Sequence, residues 1–468
     1  MPESLTARWP HVSLGVESCK SVVDAARFNV SMAQNAAASW ADWVQLGAHL
    51  GARMTHSLFP ERRSGLMRSS AATLDLWQNG AAWWLNQALG TTQSGLNRLD
   101  REWKADAALC ELFSATLAPQ EWSVDDDDRR VLLDLPSLRA IDISTIDDHR
   151  IRNYTVVFAP RAGHHSNIAE RVACHLRDNG LSRLVVVEQK CADEIPLAVD
   201  GKRHGEGFQS QVDQYAAVLE HFYRQSGVPS HLVAVCQPGP LLMATLAIHP
   251  HLGRTFGSAG SPMHTEAQRG VLTDFSRFVG PGFIDMMLAA FGRRVNRERP
   301  GAGRPVFDGS LQILGFYLLG AKHHLQNFRQ LRMDVVEGNE DGARRQRSFY
   351  QWYNTVHHFP AGFIRDTFKQ VFVKNALVRG RLQVGDRVLG LADYPAGVPI
   401  WAIGGTRDDI VPPMQATGHM ALLDQVPEDK KRIMHCQAGH MGLFRSRRVL
   451  NEHYSAVARF LLDHSDMA

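Results

Sequence analysis

Cys236 is the residue around which chemistry can be built. It stands in His231-Leu-Val-Ala-Val-Cys-Gln-Pro-Gly-Pro-Leu-Leu-Met-Ala, an apolar run, a tight turn and then an apolar helical segment. A thiol is mostly protonated near neutral pH, so it needs a neighbouring base before it can attack a carbonyl. His440 can supply that base: it follows the apolar run 432–436 in Gly439-His-Met-Gly. It would take the thiol proton and later return it to a leaving group. Asp408, after the run 399–403, can fix the imidazole tautomer and stabilise the imidazolium. Asp409 stays open as the alternative acid. His435 is the rival base, but it lies inside an expected strand, where a histidine is more often packed than catalytic. A lone buried cysteine is most often structural; it is the ordered set of three that argues for catalysis.

The developing oxyanion would be met by the backbone N–H of Gln237 and by one from the loop 159–165, where Arg161 occupies the expected place. His164 and His165 on that loop are candidate substrate contacts, with a loop-packing role as the alternative. No His, Cys, Asp or Glu cluster has metal-ligand spacing, so neither metal nor cofactor is expected.

Positioning these groups requires strands. The runs 154–159, 184–187, 232–235, 255–259, 399–403 and 432–436 predict them. Val156-Val-Phe and Val185-Val-Val are apolar without alternation, as parallel strands covered on both faces require. Helical spacers between them imply right-handed crossovers and a doubly wound sheet. Nucleophile, acid and base, each after a strand and in that order, predict an α/β-hydrolase fold. The stretch 262–385 is mostly helical (311–325, 345–356, 362–374) and is expected to be a cap inserted over the active site.

Before residue 120 the pattern is helical. Trp43, Leu46, Leu50 and Met54 make one stripe; Leu74, Trp77, Ala81, Trp84 and Ala88 make another, with a break at 60–65. The acidic run 125–128 reads as an exposed linker. The expected domains are thus a helical region 1–120, a linker with the first strand at 121–150, and a catalytic domain 151–468. Trp40, Trp43, Trp77, Trp83 and Trp84 make the first region a candidate for contact with an apolar surface, since indole suits a boundary between water and an apolar phase; packing of these helices on each other or over the catalytic domain is the alternative.

Composition excludes several classes. Of 468 residues 44% are hydrophobic and 21% charged, in the globular range. The 51 basic and 48 acidic residues leave +3, too little to favour nucleic acid. The longest apolar stretches, such as 311–321, fall short of the roughly 18 residues of a membrane helix. Six scattered cysteines without CxxC, and no basic-then-apolar start, lead us to expect reduced thiols and a cytoplasmic protein. Oligomeric state is not legible.

Taken together, Ala159-Pro-Arg-Ala-Gly-His-His, Val233-Ala-Val-Cys-Gln-Pro, Phe349-Tyr-Gln-Trp-Tyr-Asn, Val371-Phe-Val-Lys-Asn-Ala-Leu-Val-Arg-Gly, Gly405-Thr-Arg-Asp-Asp-Ile and Gly439-His-Met-Gly-Leu-Phe-Arg-Ser-Arg-Arg resemble the intracellular polyhydroxyalkanoate (polyhydroxybutyrate) depolymerases, relatives of the polyester synthases. The Gly-x-Cys-x-Gly elbow of the synthases is absent. The resemblance implies a nucleophilic Cys236 with Asp408 and His440, and cleavage of 3-hydroxyalkanoate polyester through an acyl-cysteine. It also implies a polymer or granule surface as partner, with water or coenzyme A accepting the acyl group. The alternatives are a synthase-like acyltransferase acting on coenzyme A thioesters and a non-catalytic granule scaffold.

Overall fold

A computed structural model describes residues 93–113, 122–145, 150–161, 167–355 and 357–468. The two tryptophan-bearing stripes before residue 90, and His164 and His165, lie outside the described residues. The chain divides into two compact units, Met1–Gln120 with Phe316–Asn354, and Glu121–Gly315 with Thr355–Ala468.

The second unit is built on eight strands: β1 (Arg130–Asp134), β2 (Leu138–Asp142), β3 (Thr155–Phe158), β4 (Leu184–Gln189), β5 (Ser230–Val235), β6 (Gly253–Ala259), β7 (Ile400–Gly405) and β8 (Lys431–Cys436). Their order is β1-β2-β4-β3-β5-β6-β7-β8. β2 runs antiparallel to both its neighbours and every other pairing is parallel. Together with its crossover helices, this is the α/β-hydrolase sheet, and all six predicted strands are in it. The stretch 121–150, expected to hold one strand after the linker, holds two, β1 and β2, an antiparallel hairpin at one edge. β1 is half exposed without clean alternation, and β2 ends in Asp142, a buried acid paired with Arg130.

Burial on both faces explains the unbroken apolar runs. Val156, Phe158, Val185, Val187, Leu232 and Ala234 share one cluster with residues of the helices Phe208–Ser226 and Gly239–Ile248. The intervening Val157, Val186 and Val233 are also fully buried and face the opposite side. There the helix Asn167–Asp178 packs on β3 and β4 and against Ser455–Asp463. The acidic run at 125–128 is exposed.

Between β6 and β7 the chain forms Val271–Val279, Phe283–Phe291, Gly309–Leu319, Ala321–Glu337, Glu340–Asn354 and Ala361–Asp366, the last continuing as a π-helix over Thr367–Val373. Gly320 ends one helix and opens the next, so the run expected at 311–325 is two helices.

The helical unit is held by side chains of its own. Arg332 pairs with Glu102 and Asp106 across the helices Ala321–Glu337 and Gln93–Leu112. His324 lies between the hydroxyls of Tyr350 (2.9 Å) and Tyr353 (3.1 Å), and Tyr317 donates to Asn354 at 2.6 Å. Burial lowers the His324 pKa to about 4, with His323 acting in the same direction, so the ring is neutral at the centre of this aromatic cluster.

Candidate active site

Cys236 follows β5 directly and has φ = +64°, one of three described non-glycine residues with positive φ. That conformation costs on the order of 1–3 kcal/mol and is kept where a side chain must be thrust out of a sharp strand-to-helix turn. The Cys236 N–H donates to the carbonyl of Ala259 at 2.9 Å, which ties the turn to β6. Pro238 caps the helix Gly239–Ile248, where a missing N–H costs little. Gly239 is required by close approach: a Cβ there would lie 2.6 Å from Ser261 Cβ and 2.7 Å from Met263 Sδ.

The acid and base arrive on adjoining loops. Beyond β7 and β8, the N–H of Thr406 donates to the carbonyl of Cys436 at 2.8 Å and that of Arg407 to Ala438 at 3.1 Å. Asp408 and His440 are 5% and 7% exposed, so each must find its partners inside. Asp408 Oδ1 accepts from the N–H groups of Ile410 (3.0 Å) and Val411 (2.8 Å). Its Oδ2 stands 2.7 Å from His440 Nδ1, and His440 Nε2 stands 3.2 Å from Cys236 Sγ. The three side chains that the sequence singled out therefore form one continuous chain of contacts. Asp409 is exposed. His435 is exposed too, its Nε2 2.9 Å from the Thr417 hydroxyl.

Electrostatics favour a charged imidazole. Burial by itself lowers the His440 pKa. The Asp408 carboxylate, the Cys236 sulfur and the hydrogen bonds to both outweigh it, holding the group well above its ordinary value. Burial pushes the thiol of Cys174 up to about 11 and that of Cys436 up to about 12, and it also raises Cys191, so these three are held as inert thiols.

Arg161 lies just beyond β3, and its N–H donates to Gln237 Oε1 at 3.0 Å. The Gln237 carboxamide thus spans from the elbow to the loop that was expected to supply the second oxyanion donor. The Arg161 side chain is 2% exposed and makes a buried network: it donates to Gln211 Oε1 (2.8 Å), Glu206 Oε2 (3.1 Å) and the carbonyl of Lys190 (3.2 Å). Its guanidinium also stacks 4.9 Å from the Phe363 ring. Burial lowers the Arg161 pKa, and Glu206, itself 2% exposed at the side chain, opposes that shift. Sequence reading missed Glu206 and Gln211. The only available signal was that an arginine beside a buried strand needs an acid, and nothing in the spacing says which. Among the described residues no cluster of three or more His, Cys, Asp or Glu is placed to hold a metal ion.

Among solved structures the chain is similar to a soluble variant of monoglyceride lipase from Saccharomyces cerevisiae, at 12% identity over 75% of this chain and 100% of that one, with a TM-score of 0.44. It is also similar to the monoacylglycerol lipase of Paleococcus ferrophilus (14% identity, 70% and 99% covered, TM-score 0.39). An alpha/beta hydrolase fold protein from Nakamurella multipartita is a third (14%, 72% and 98%, TM-score 0.37). No curated protein matches the sequence. Residues 260–465, which carry Asp408 and His440, match the family described as PHB de-polymerase C-terminus, and they complete a sheet of α/β-hydrolase order that begins with β1.

Proposed function

We propose that the protein cleaves 3-hydroxyalkanoate polyester at its ester bonds through an acyl-cysteine intermediate, with Cys236 as nucleophile, His440 as acid and base, and Asp408 as its orienting carboxylate. The observation that carries this reading is the contact series Asp408 Oδ2–His440 Nδ1 (2.7 Å) and His440 Nε2–Cys236 Sγ (3.2 Å), in a chain whose residues 260–465 match a polyester depolymerase family.

In this scheme the Cys236 thiolate adds to the ester carbonyl, and the C–S bond forms as the carbonyl π electrons move to oxygen. The oxyanion collapses, the C–O bond to the departing chain breaks, and imidazolium His440 gives its proton to that alkoxide. Water then attacks the thioester while His440 takes a proton from it, releasing the acid and the Cys236 thiolate. The amides of Gln237 and Arg161 are the proposed oxyanion donors. Since Gln237 Oε1 already accepts from Arg161 N–H, the substrate carbonyl must displace the Gln237 carboxamide to reach that donor. Among the described residues no helix is long and apolar enough to cross a membrane.

Incubation with amorphous polyester granules, scoring released 3-hydroxy acids, tests the reading. Turnover by the wild type and none by Cys236→Ala of unchanged melting temperature is the expected result. Full release by Cys236→Ala would remove it.

A further inference from the structure

The second unit contains a cavity of about 610 Å³ that includes none of Cys236, Asp408 and His440 in its wall. Such a volume is typical of a small-molecule site, and this wall sets several arginines among apolar residues such as Leu197, Leu288 and Val306. Arg203, Arg294 and Arg304 all line it, together with Glu206 and Asp285. Both acids are already engaged. Glu206 pairs with Arg161 and His204, and Asp285 with Arg365 and Lys369.

The three arginines are not neutralised in this way: among the described residues none of them has a carboxylate within ion-pair distance. Arg304 is only 4% exposed, and its guanidinium donates to three carbonyls, those of Ile195 (3.3 Å), Pro196 (2.6 Å) and His204 (3.3 Å). Those bonds give its N–H groups neutral acceptors, and Glu206, whose charge acts on it, is shared with Arg161 and His204. Arg294 donates to the carbonyl of Gly303 at 2.8 Å and is otherwise turned to solvent, as is Arg203. Three like charges around one concavity repel one another and focus a positive potential into it, which an oxyanion relieves. Guanidinium forks also match the two oxygens of a carboxylate or phosphate.

We propose that this cavity is a binding site for a small organic anion, held by its carboxylate or phosphate group between Arg203, Arg294 and Arg304. One source of such a group is the free carboxylate of a short 3-hydroxy acid chain, and that assignment rests on the function proposed above; a phosphorylated metabolite is the other.

Isothermal titration decides between the outcomes. The Cys236→Ala protein, used so that no ligand is consumed, is titrated with the 3-hydroxybutyrate trimer acid, its methyl ester and inorganic phosphate. The same titrations are made on Cys236→Ala carrying Arg203→Ala and Arg294→Ala together, two exposed changes that spare buried Arg304. We expect the acid, the phosphate or both to bind, with affinity falling at least about tenfold in the arginine variant and with added salt. The trimer acid alone binding assigns the chain end, and phosphate alone binding assigns the phosphorylated source; either supports the site. Binding of the methyl ester as tight as that of the acid, binding indifferent to the arginine variant, or no binding of any probe overturns it. Iodoacetamide labelling of Cys236 in the wild type is read separately. An unreactive Cys236 beside an intact anion site would sink the proposed catalysis and leave the cavity assignment standing.

Discussion

At the scale of single residues, the account depends on a proton held by His440. Burial would strip it; Asp408 and Cys236 keep it, and the folded pKa stands well above the ordinary value. A raised folded pKa means that protonation stabilises the fold fully below the unfolded value, and that this contribution is lost as pH rises through the folded one. In the proposed mechanism the same proton is given to the leaving alkoxide. Asp408→Asn removes the largest raising influence, so the alkaline limb of the kcat profile should move to lower pH, with kcat down on the order of 10³–10⁴. An unshifted limb in a pH–rate series would detach Asp408 from the base. Gln237→Ala tests the carboxamide that sits on the Arg161 amide. Freed of a competing acceptor worth about 1 kcal/mol, the enzyme should show a KM about three- to tenfold lower for a soluble hydroxyester. A KM that stays or rises would mean that the carboxamide holds the loop rather than blocking it. Cys236, Asp408 and His440 could be read from sequence because each ends an apolar run and their order is informative. Glu206 and Gln211 could not, since they reach Arg161 from other elements and no local pattern marks them.

At the scale of elements, the sheet positions the candidate residues after the ends of β3, β5, β7 and β8, with β6 between β5 and β7. Parallel strands buried on both faces write themselves into the sequence as unbroken apolar runs, as in β3, β4 and β5; β8 is largely exposed and was visible as a short run before the Gly439-His turn. The hairpin β1–β2 lies at an edge where half-exposed residues and the Arg130–Asp142 pair break the pattern, so only a single strand without bounds was expected within 121–150. What sequence could not show at all was how closely these strands pack. Gly257 on β6 is a case: a Cβ there would lie 1.8 Å from Cε2 of the fully buried Trp401 on β7. Gly257→Ala must push the indole out of place, and we expect a loss of about 3 kcal/mol from overpacking, read as a lower urea midpoint. Unchanged stability would mean that Trp401 has room to move. Gly239→Ala presses instead on Ser261 and Met263 beneath the elbow, so it should slow alkylation of Cys236 as well as lower stability.

At the scale of the whole molecule, the chain divides into a unit of α/β-hydrolase fold and a second unit, Met1–Gln120 with Phe316–Asn354, whose described residues are mainly helical. The helices of 316–354 were legible as helices but not as partners of the N-terminal region, because the contacts that join them are more than two hundred residues apart in sequence. Deleting residues 1–120 removes Glu102 and Asp106 from Arg332, and Phe113 from Tyr317 and Phe328. The truncated protein should melt several degrees lower or aggregate, since an aromatic face loses its cover; a scan superimposable on the wild type would show that this region is dispensable for folding. The proposed mechanism routes no step through a metal, and turnover should survive treatment with a chelator. The central claim is the acyl-cysteine itself, and trapping it is the most direct measurement. A soluble 3-hydroxybutyrate ester is mixed with the enzyme, quenched in acid within the first turnovers, and the digest is read by mass spectrometry. The account predicts one hydroxybutyryl group on the peptide that contains Cys236, absent from Cys236→Ala. An acyl group on any other residue, or steady turnover by Cys236→Ala, would contradict it.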